Sequence, residues 1–180
     1  MLAWTARISH EQKAHLSVRL ATLGYAVPGA VIAVGMMAIF SGWGQFLTAW
    51  FVPLLLACLV RFLAVAYQPI EAGMQRTARS IDDSARSLGA SNFSILFSIH
   101  FPLIRNSIFA AFIMAFVDIM KELPLTLILR PFNFDTLATR TFDLAGDERM
   151  AQAALPALLI VCISIVPALW LNRVANSAHP

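Results

Sequence analysis

Charged side chains are scarce in this chain: Asp, Glu, Lys and Arg account for 13% of its 180 residues, against about 25% in soluble domains. Apolar residues instead make up 59%, above the usual range of about 45 to 50%. A soluble domain of this size leaves much of its surface in water, so it cannot hide so many apolar side chains. The composition therefore excludes an ordinary soluble domain and predicts an all-α helix bundle embedded in a membrane.

Cysteine is also scarce, and the chain lacks the sequence pattern of a metal or redox site. Cys58 and Cys162 each lie in an apolar run, without the spacing of a zinc site or a redox pair. The formal net charge is only +3, and the basic residues are dispersed, which argues against a nucleic-acid partner. We therefore expect no cofactor, no metal site and no bound nucleic acid.

Long apolar runs predict about four transmembrane helices, each close to the roughly 20 residues that cross a bilayer. The predicted spans cover residues 21–40, 46–66, 103–123 and 153–171. The remaining segments are an N-terminal stretch at 1–20, a loop at 67–102, a second polar segment at 124–152 and a tail at 173–180. Eight Lys or Arg residues fall on the side of the termini and the first loop, and four on the other. That bias predicts a cytoplasmic location for the termini and this loop, and a periplasmic one for the second polar segment.

Ionisable residues are rare within the predicted spans, so each of them is a candidate for a role. Asp118, Lys121 and Glu122 lie three or four residues apart near the periplasmic end of the third span, where a continuous helix would place them on one face. Ionisable groups at this depth are typical of a transport path. A purely structural pair between Asp118 and Lys121 fits the spacing equally well. Arg61, near the end of the second span, is expected to extend its charge toward the membrane interface.

The predicted cytoplasmic loop begins with the pattern of a short helix. Residues 81–88 place Asp82 and Asp83 in the first turn, where negative charge complements the positive end of a helix. Gly89 then suits the left-handed conformation with which many helices end. The segment therefore predicts a helix and a sharp turn outside the hydrocarbon.

A second helix is predicted directly after this turn. Ser91 or Asn92 can cap its first turn. Phe93, Leu96 and Phe97 recur at helical spacing, so they are expected on one face. Two short helices with an exposed apolar ridge form a surface that fits a groove on a partner protein.

The spacing of this loop resembles the EAA loop of the inner-membrane permeases of binding-protein-dependent ABC transporters. The family pattern is Glu-Ala-Ala, three residues, Gly, nine residues and Ile-x-Leu-Pro. The residues at its anchors here are Asp83, Ser84, Ala85, Gly89, Ile99, Phe101 and Pro102. Asp83, Ser84 and Phe101 depart from the family residues by mild changes. The resemblance implies that the loop binds a cytoplasmic ABC ATPase and transmits its motion to the spans; the alternative is a simple amphipathic connector.

Four other segments resemble the ferric iron branch of the same permease family: residues 24–31, 59–65, 121–132 and 135–140. The resemblance implies that residues 21–172 form the transmembrane domain of a multi-pass permease in the bacterial inner membrane. It also implies two further partners, a periplasmic solute-binding protein and another permease half or second copy. Half-permeases of this family have more spans than this chain, which therefore resembles the C-terminal part of one.

The chain lacks the residues that ATP hydrolysis requires. Gly24 and Gly29 have the spacing of the glycines in a phosphate-binding loop, but Ala30 and Val31 follow where that loop has Lys and Ser or Thr. We therefore expect a transport permease and not an enzyme, with ATP hydrolysed by a separate subunit. Two alternatives remain: a nonfunctional remnant or accessory subunit, and, with weaker support from the sequence, a membrane-embedded enzyme that modifies lipids.

Overall fold

The computed structural model describes residues 2–8, 18, 22–42 and 51–177. Within these ranges every regular element is helical, which confirms the predicted all-α class. The helices are α1 (Leu2–Ile8), α2 (Gly29–Phe40), α3 (Val52–Gln75), α4 (Arg79–Ser87), α5 (Asn92–Leu103), α6 (Arg105–Met120), α7 (Pro124–Leu129), α8 (Leu137–Gly146) and α9 (Met150–Ser177). A 3-10 turn at Leu23–Tyr25 precedes α2. Most of the predicted N-terminal segment lies outside the described residues.

Two of the described helices are long and apolar enough to cross a membrane, namely α3 and the Met150–Trp170 part of α9. Helices α5 and α6 meet that standard only as a pair, and they are bent by 72° relative to each other. Helix α2 is apolar but has 12 residues, fewer than the roughly 20 of a full span. The described residues therefore contain two spans, or three with the bent pair, where the hydropathy pattern predicts four.

Helix α3 extends well beyond the second predicted span. It begins at Val52 and continues through Gln75, whereas the apolar pattern stops at residue 66. Hydropathy locates the edge of the hydrocarbon, but backbone hydrogen bonds can continue a helix past that edge into water. The connection to α4 is consequently short, because only residues 76–78 separate the two helices.

Helix α3 organises the bundle, since it contacts α1, α2, α6 and α7. Near its C-terminal end, Tyr67 and Met74 belong to an apolar cluster that α1, α4 and α5 complete. Near its N-terminal end, Leu54 and Ala57 pack against Leu125 of α7. Helix α9 lies against α6 and α8 but buries only 11% of its most apolar stretch. It therefore presents an apolar surface outward, as expected for contact with lipid or another membrane segment.

Candidate functional site

Helix α4 ends as the sequence predicts, through a left-handed glycine. Gly89 has φ +82°, a conformation that side chains with a Cβ rarely adopt. The Gly89 amide donates to Arg86 O at 2.9 Å, and the Ala90 amide donates to Ala85 O at 3.0 Å. These two bonds form a Schellman motif, which satisfies carbonyl groups at the helix end and reverses the chain.

Helix α5 begins with a side-chain cap, and of the two predicted candidates, Ser91 and Asn92, the structure selects Ser91. The Ser94 amide donates to Ser91 Oγ at 3.2 Å, which satisfies a backbone group that has no partner within the helix. The segment Ile95–His100 is a π-helix, a form that often marks functional sites. The helical path breaks at Ile104, where the chain turns into α6. We call the unit formed by α4, the Gly89 turn and α5 the elbow.

Aromatic side chains form an exposed row along one arm of the elbow. Phe93, Phe97 and Phe101 are 66%, 45% and 51% exposed. The ring centroids of Phe93 and Phe97 lie 4.4 Å apart, and those of Phe97 and Phe101 lie 6.3 Å apart. Leu96 instead packs inward against the apolar cluster. The predicted ridge is therefore correct for Phe93 and Phe97 and wrong for Leu96, because the helix turns that residue toward the bundle.

The remaining residues at the EAA anchors divide between the surface and the interior. Asp83, Ser84, Gly89 and Pro102 are exposed, and Leu88 beside the turn is 89% exposed. The two anchors that face the bundle are Ala85, which is buried, and Ile99, which packs against the same apolar cluster. The elbow therefore exposes a surface of mixed polar and apolar residues, while Ala85 and Ile99 pack it against the helix bundle.

A buried ionic cluster, which the sequence did not indicate, lies beneath the elbow. Arg7 Nε donates to Asp82 Oδ2 at 2.7 Å, and His100 Nε2 lies 2.6 Å from Asp82 Oδ1. Burial by itself raises the pKa of Asp82, but hydrogen bonds and charge from Arg7 and His100 outweigh burial and hold it below its ordinary value. The only hint of this cluster in the sequence is Asp82 itself, an acidic residue beside Asp83 in the first turn of the predicted helix.

At the other end of the bundle, the three predicted path residues do not share one surface. Lys121 Nζ lies 2.7 Å from Asp118 Oδ1, and the Tyr25 hydroxyl donates to Asp118 Oδ2 at 3.4 Å. Glu122 is instead buried, with its side chain 8% exposed, while that of Lys121 is 61% exposed. The expectation of a common face is wrong because α6 ends at Met120, and the helical spacing no longer applies beyond it.

Glu122 connects three helices through its two carboxylate oxygens. Oε2 lies 3.2 Å from Nε of Arg61 on α3, and Oε1 accepts a hydrogen bond from the Leu125 amide at the start of α7. A Cβ on Gly29, the first residue of α2, would lie 2.6 Å from Oε1. This glycine therefore allows α2 to approach the carboxylate closely.

Arg61 does not extend its charge to an exposed surface of the bundle, so the expectation that it reaches toward water is wrong. Its side chain is only 17% exposed, and Nη1 donates to Val27 O at 2.6 Å. The physical reason is that a carboxylate and a backbone carbonyl within the bundle offer the guanidinium fixed partners. Among the described residues, no group of three or more His, Cys, Asp or Glu side chains is arranged to hold a metal ion.

Comparison with known proteins gives matches along most of the chain. The family described as "Binding-protein-dependent transport system inner membrane component" matches residues 3–178. The "Fe(3+)-transport system permease protein FbpB 2" of Haemophilus influenzae is 30% identical over 87% of this chain and 31% of its own length. The "Putative 2-aminoethylphosphonate transport system permease protein PhnV" of Salmonella typhimurium is 27% identical over 84% and 57%. The "Ferric transport system permease protein FbpB" of Actinobacillus pleuropneumoniae is 24% identical over 82% and 22%. The chain therefore spans between about a fifth and three fifths of the length of these relatives.

Proposed function

We propose a function from the premise that the chain belongs to the family of inner membrane components of binding-protein-dependent transport systems. The resemblance carried by the EAA loop and by the four other matching segments is thereby confirmed at the level of the family. The chain is then a membrane permease component and not an enzyme, and we assign it to the bacterial inner membrane as a multi-pass subunit.

The proposed cargo is ferric iron. Two of the relatives described above are ferric iron permeases by name, and one of them is the 30% identical protein of Haemophilus influenzae. The 2-aminoethylphosphonate relative covers a similar share of this chain, so that compound is the competing cargo for an uptake experiment. In this proposal a periplasmic solute-binding protein delivers the solute, and another permease half or second copy completes the pore.

The elbow is proposed to couple this subunit to a cytoplasmic ABC ATPase, which supplies the ATP hydrolysis. The observation that carries this proposal is the exposed aromatic row at Phe93, Phe97 and Phe101, beside an exposed turn at Gly89. Water does not favour such a row on a free surface, whereas a groove on a partner protein would bury it. The proposed contact surface comprises Asp83, Ser84, Ala85, Gly89, Ile99, Phe101 and Pro102, with Ala85 and Ile99 supporting it from the inside.

The proposed translocation path runs past Asp118 and Lys121 at the opposite end of the bundle. The side chain of Lys121 is 61% exposed, and the Asp118 carboxylate, which is 17% exposed, contacts both Lys121 and the Tyr25 hydroxyl. Carboxylate oxygens are suitable transient contacts for a hard, trivalent cation. Glu122 has both oxygens engaged with Arg61 and Leu125. Its proposed part in the path is consequently indirect, as an anchor for the helices that surround it.

The experiment that tests coupling compares two exposed glycines. Gly89→Asp places a charge in the turn of the elbow, while Gly146→Asp places the same charge at the end of α8, where a new Cβ also meets nothing within 4 Å. With tagged chain expressed in its native host, we expect Gly89→Asp to abolish both ATPase co-purification and uptake of radioactive Fe³⁺. Gly146→Asp should retain both.

Two further measurements make the result specific. Gly89→Asn separates charge from backbone strain, because asparagine tolerates the left-handed conformation better than other residues. Uptake of 2-aminoethylphosphonate, measured in the same cells, distinguishes the two cargoes. If Gly89→Asp leaves ATPase association and uptake at the wild-type level, the chain is an accessory subunit or a remnant and the coupling proposal is wrong.

A further inference from the structure

Neighbouring carboxylates on α4 have opposite surroundings. The side chain of Asp82 is 6% exposed, while that of Asp83 is 74% exposed. Asp83 has one weak partner, Arg86 at 3.4 Å on the same helix. Asp82 faces the bundle and binds residues that are distant in sequence. The two positions therefore give α4 one side that is free for a partner and one side that is fixed.

Arg7 of α1 holds the fixed side by binding several acceptors at once. Besides Asp82, its guanidinium donates to Met74 O in the last turn of α3. It also donates to Thr77 O at 2.9 Å and Ala78 O at 3.2 Å in the short connection that follows. The planar guanidinium has five donors in a fixed arrangement, so it fixes the direction in which the chain leaves α3 and enters α4.

His100 brings the second arm of the elbow to the same carboxylate. Its side chain is fully buried, and its ring lies 4.9 Å from the ring of Trp4 on α1. Because Asp82 lies on α4 and His100 on α5, their contact at 2.6 Å fixes the angle between the two arms. Helix α1 thus contributes Trp4 and Arg7 to the underside of the elbow.

We propose that Arg7, Asp82 and His100 are positioning residues that hold the elbow in the orientation in which its exposed face binds the ATPase. We call these three residues the latch. The inference rests on the proposed coupling function. It goes beyond that function by assigning a role to helix α1 and to the buried face of the elbow, which lie outside the proposed contact surface. Without the latch, the exposed residues of the elbow are still present, but α4 and α5 are no longer held in one orientation relative to the bundle.

Asp82→Asn and Asp83→Asn form the matched pair for the test, since the same isosteric change removes charge from adjacent positions of one helix. The tagged chain is expressed in its native host and purified with its partners. Hydrogen exchange of residues 79–103 reports the local order of the elbow. ATPase co-purification and MgATP hydrolysis by the captured complex report coupling.

We expect Asp82→Asn to raise exchange of residues 79–103 by about tenfold or more, because a buried arginine loses its charged partner. Asp83→Asn should leave exchange within about twofold of wild type, as expected for an exposed pair. Both variants should lower ATPase co-purification and MgATP hydrolysis. Arg7→Lys keeps the charge but not the planar set of donors, and it should reproduce the exchange result even where Asp82→Asn yields no folded protein.

The two readouts separate failure of the latch from failure of the coupling proposal. Unchanged exchange in both Asp82→Asn and Arg7→Lys would overturn the latch, whatever happens to the ATPase. Faster exchange in Asp82→Asn, with ATPase co-purification at the wild-type level in both carboxylate variants, would show that the latch orders the elbow but that the elbow does not bind the ATPase. That second result overturns the positioning role and the proposed coupling together.

Discussion

Asp82 and Glu122 are two buried carboxylates that use similar partners in different surroundings. Each is paired with an arginine from another helix, at 2.7 Å for Asp82 and 3.2 Å for Glu122. Asp82 lies at the base of the elbow, outside the apolar spans, where water can solvate it if the contact opens. Glu122 lies among α2, α3 and α7, where the side chains of the pair are only 17% (Arg61) and 8% (Glu122) exposed. An arginine–carboxylate pair therefore holds the orientation of the elbow at one site and a junction between helices at the other.

The largest effect is expected at Arg61, whose removal tests whether the junction around Glu122 depends on this arginine. Arg61→Met leaves a buried carboxylate without its charged partner, and removal of one partner from such a pair costs about 3 to 5 kcal/mol. We expect a loss of this size in the free energy of unfolding, measured by titration with a denaturing detergent in mixed micelles. The double variant Arg61→Met with Glu122→Met should recover to within about 2 kcal/mol of wild type, because no isolated charge remains. Equal losses in the single and double variants would contradict this explanation.

The next effect tests the close approach of α2 to Glu122. Gly29→Ala introduces a Cβ at 2.6 Å from Glu122 Oε1, and overpacking of this kind costs about 1 to 3 kcal/mol. Gly35→Ala on the same helix is the matched control, because a Cβ there meets nothing within 4 Å. In the same detergent titration, Gly35→Ala should be neutral or slightly stabilising, since alanine favours helix more than glycine does. A loss at Gly35 as large as that at Gly29 would show that the junction is not the cause.

A smaller effect, confined to acidic solution, is expected at Asp82. Its pKa is below the ordinary value in the folded protein, so its stabilising contribution is complete above the pKa of about 4 for an unfolded carboxyl and is lost as the pH falls further. The difference in thermal midpoint between wild type and Asp82→Asn should therefore stay constant above about pH 5 and shrink as the pH falls below about 4. Asp83→Asn provides the baseline for an exposed neighbour, and a difference that grows on acidification would contradict the assignment.

The smallest effect is expected at the exposed ion pair between Arg86 and Asp83 on the elbow, with which the buried pairs can be compared. Arg86 and Asp83 lie 3.4 Å apart with side chains 41% and 74% exposed, and such pairs contribute about 0.5 kcal/mol or less. Arg86→Ala should therefore change the thermal midpoint very little at low salt and not at all at high salt. A large loss would mean that this surface is more constrained than its exposure indicates.

The features of the elbow that depend only on residues close together in the chain can be predicted from the sequence. The sequence predicts the turn at Gly89 and a cap at Ser91 or Asn92, because a left-handed turn and a helix cap require particular residues at particular positions. Leu96 was placed on the wrong side because helical spacing gives a face but does not say which part of that face meets the bundle. The seven anchor residues of the EAA pattern form one loop, yet their contact with an ATPase stays a proposal.

The buried ion pairs could not be predicted for the opposite reason. Arg7 and Asp82 are 75 residues apart in the chain, and no local sequence pattern links the two positions. Arg61 was expected at the interface because a long side chain in a span usually reaches water. Only the packing of α3 against α2 and α7 supplies Glu122 and Val27 O as nearer partners.

Composition and local spacing are sufficient to predict the properties that add up along the chain or repeat within a few residues. These properties are the all-helical membrane class, which follows from apolar content, the turn at Gly89, and the spacing that identified the permease family. Which ionisable residues are buried, and which partners they bind, depends on how the helices pack in three dimensions. The physical reason is that a charge in apolar surroundings is stable only beside an opposite charge and hydrogen-bond donors, and the helix that provides them is chosen by packing across the bundle.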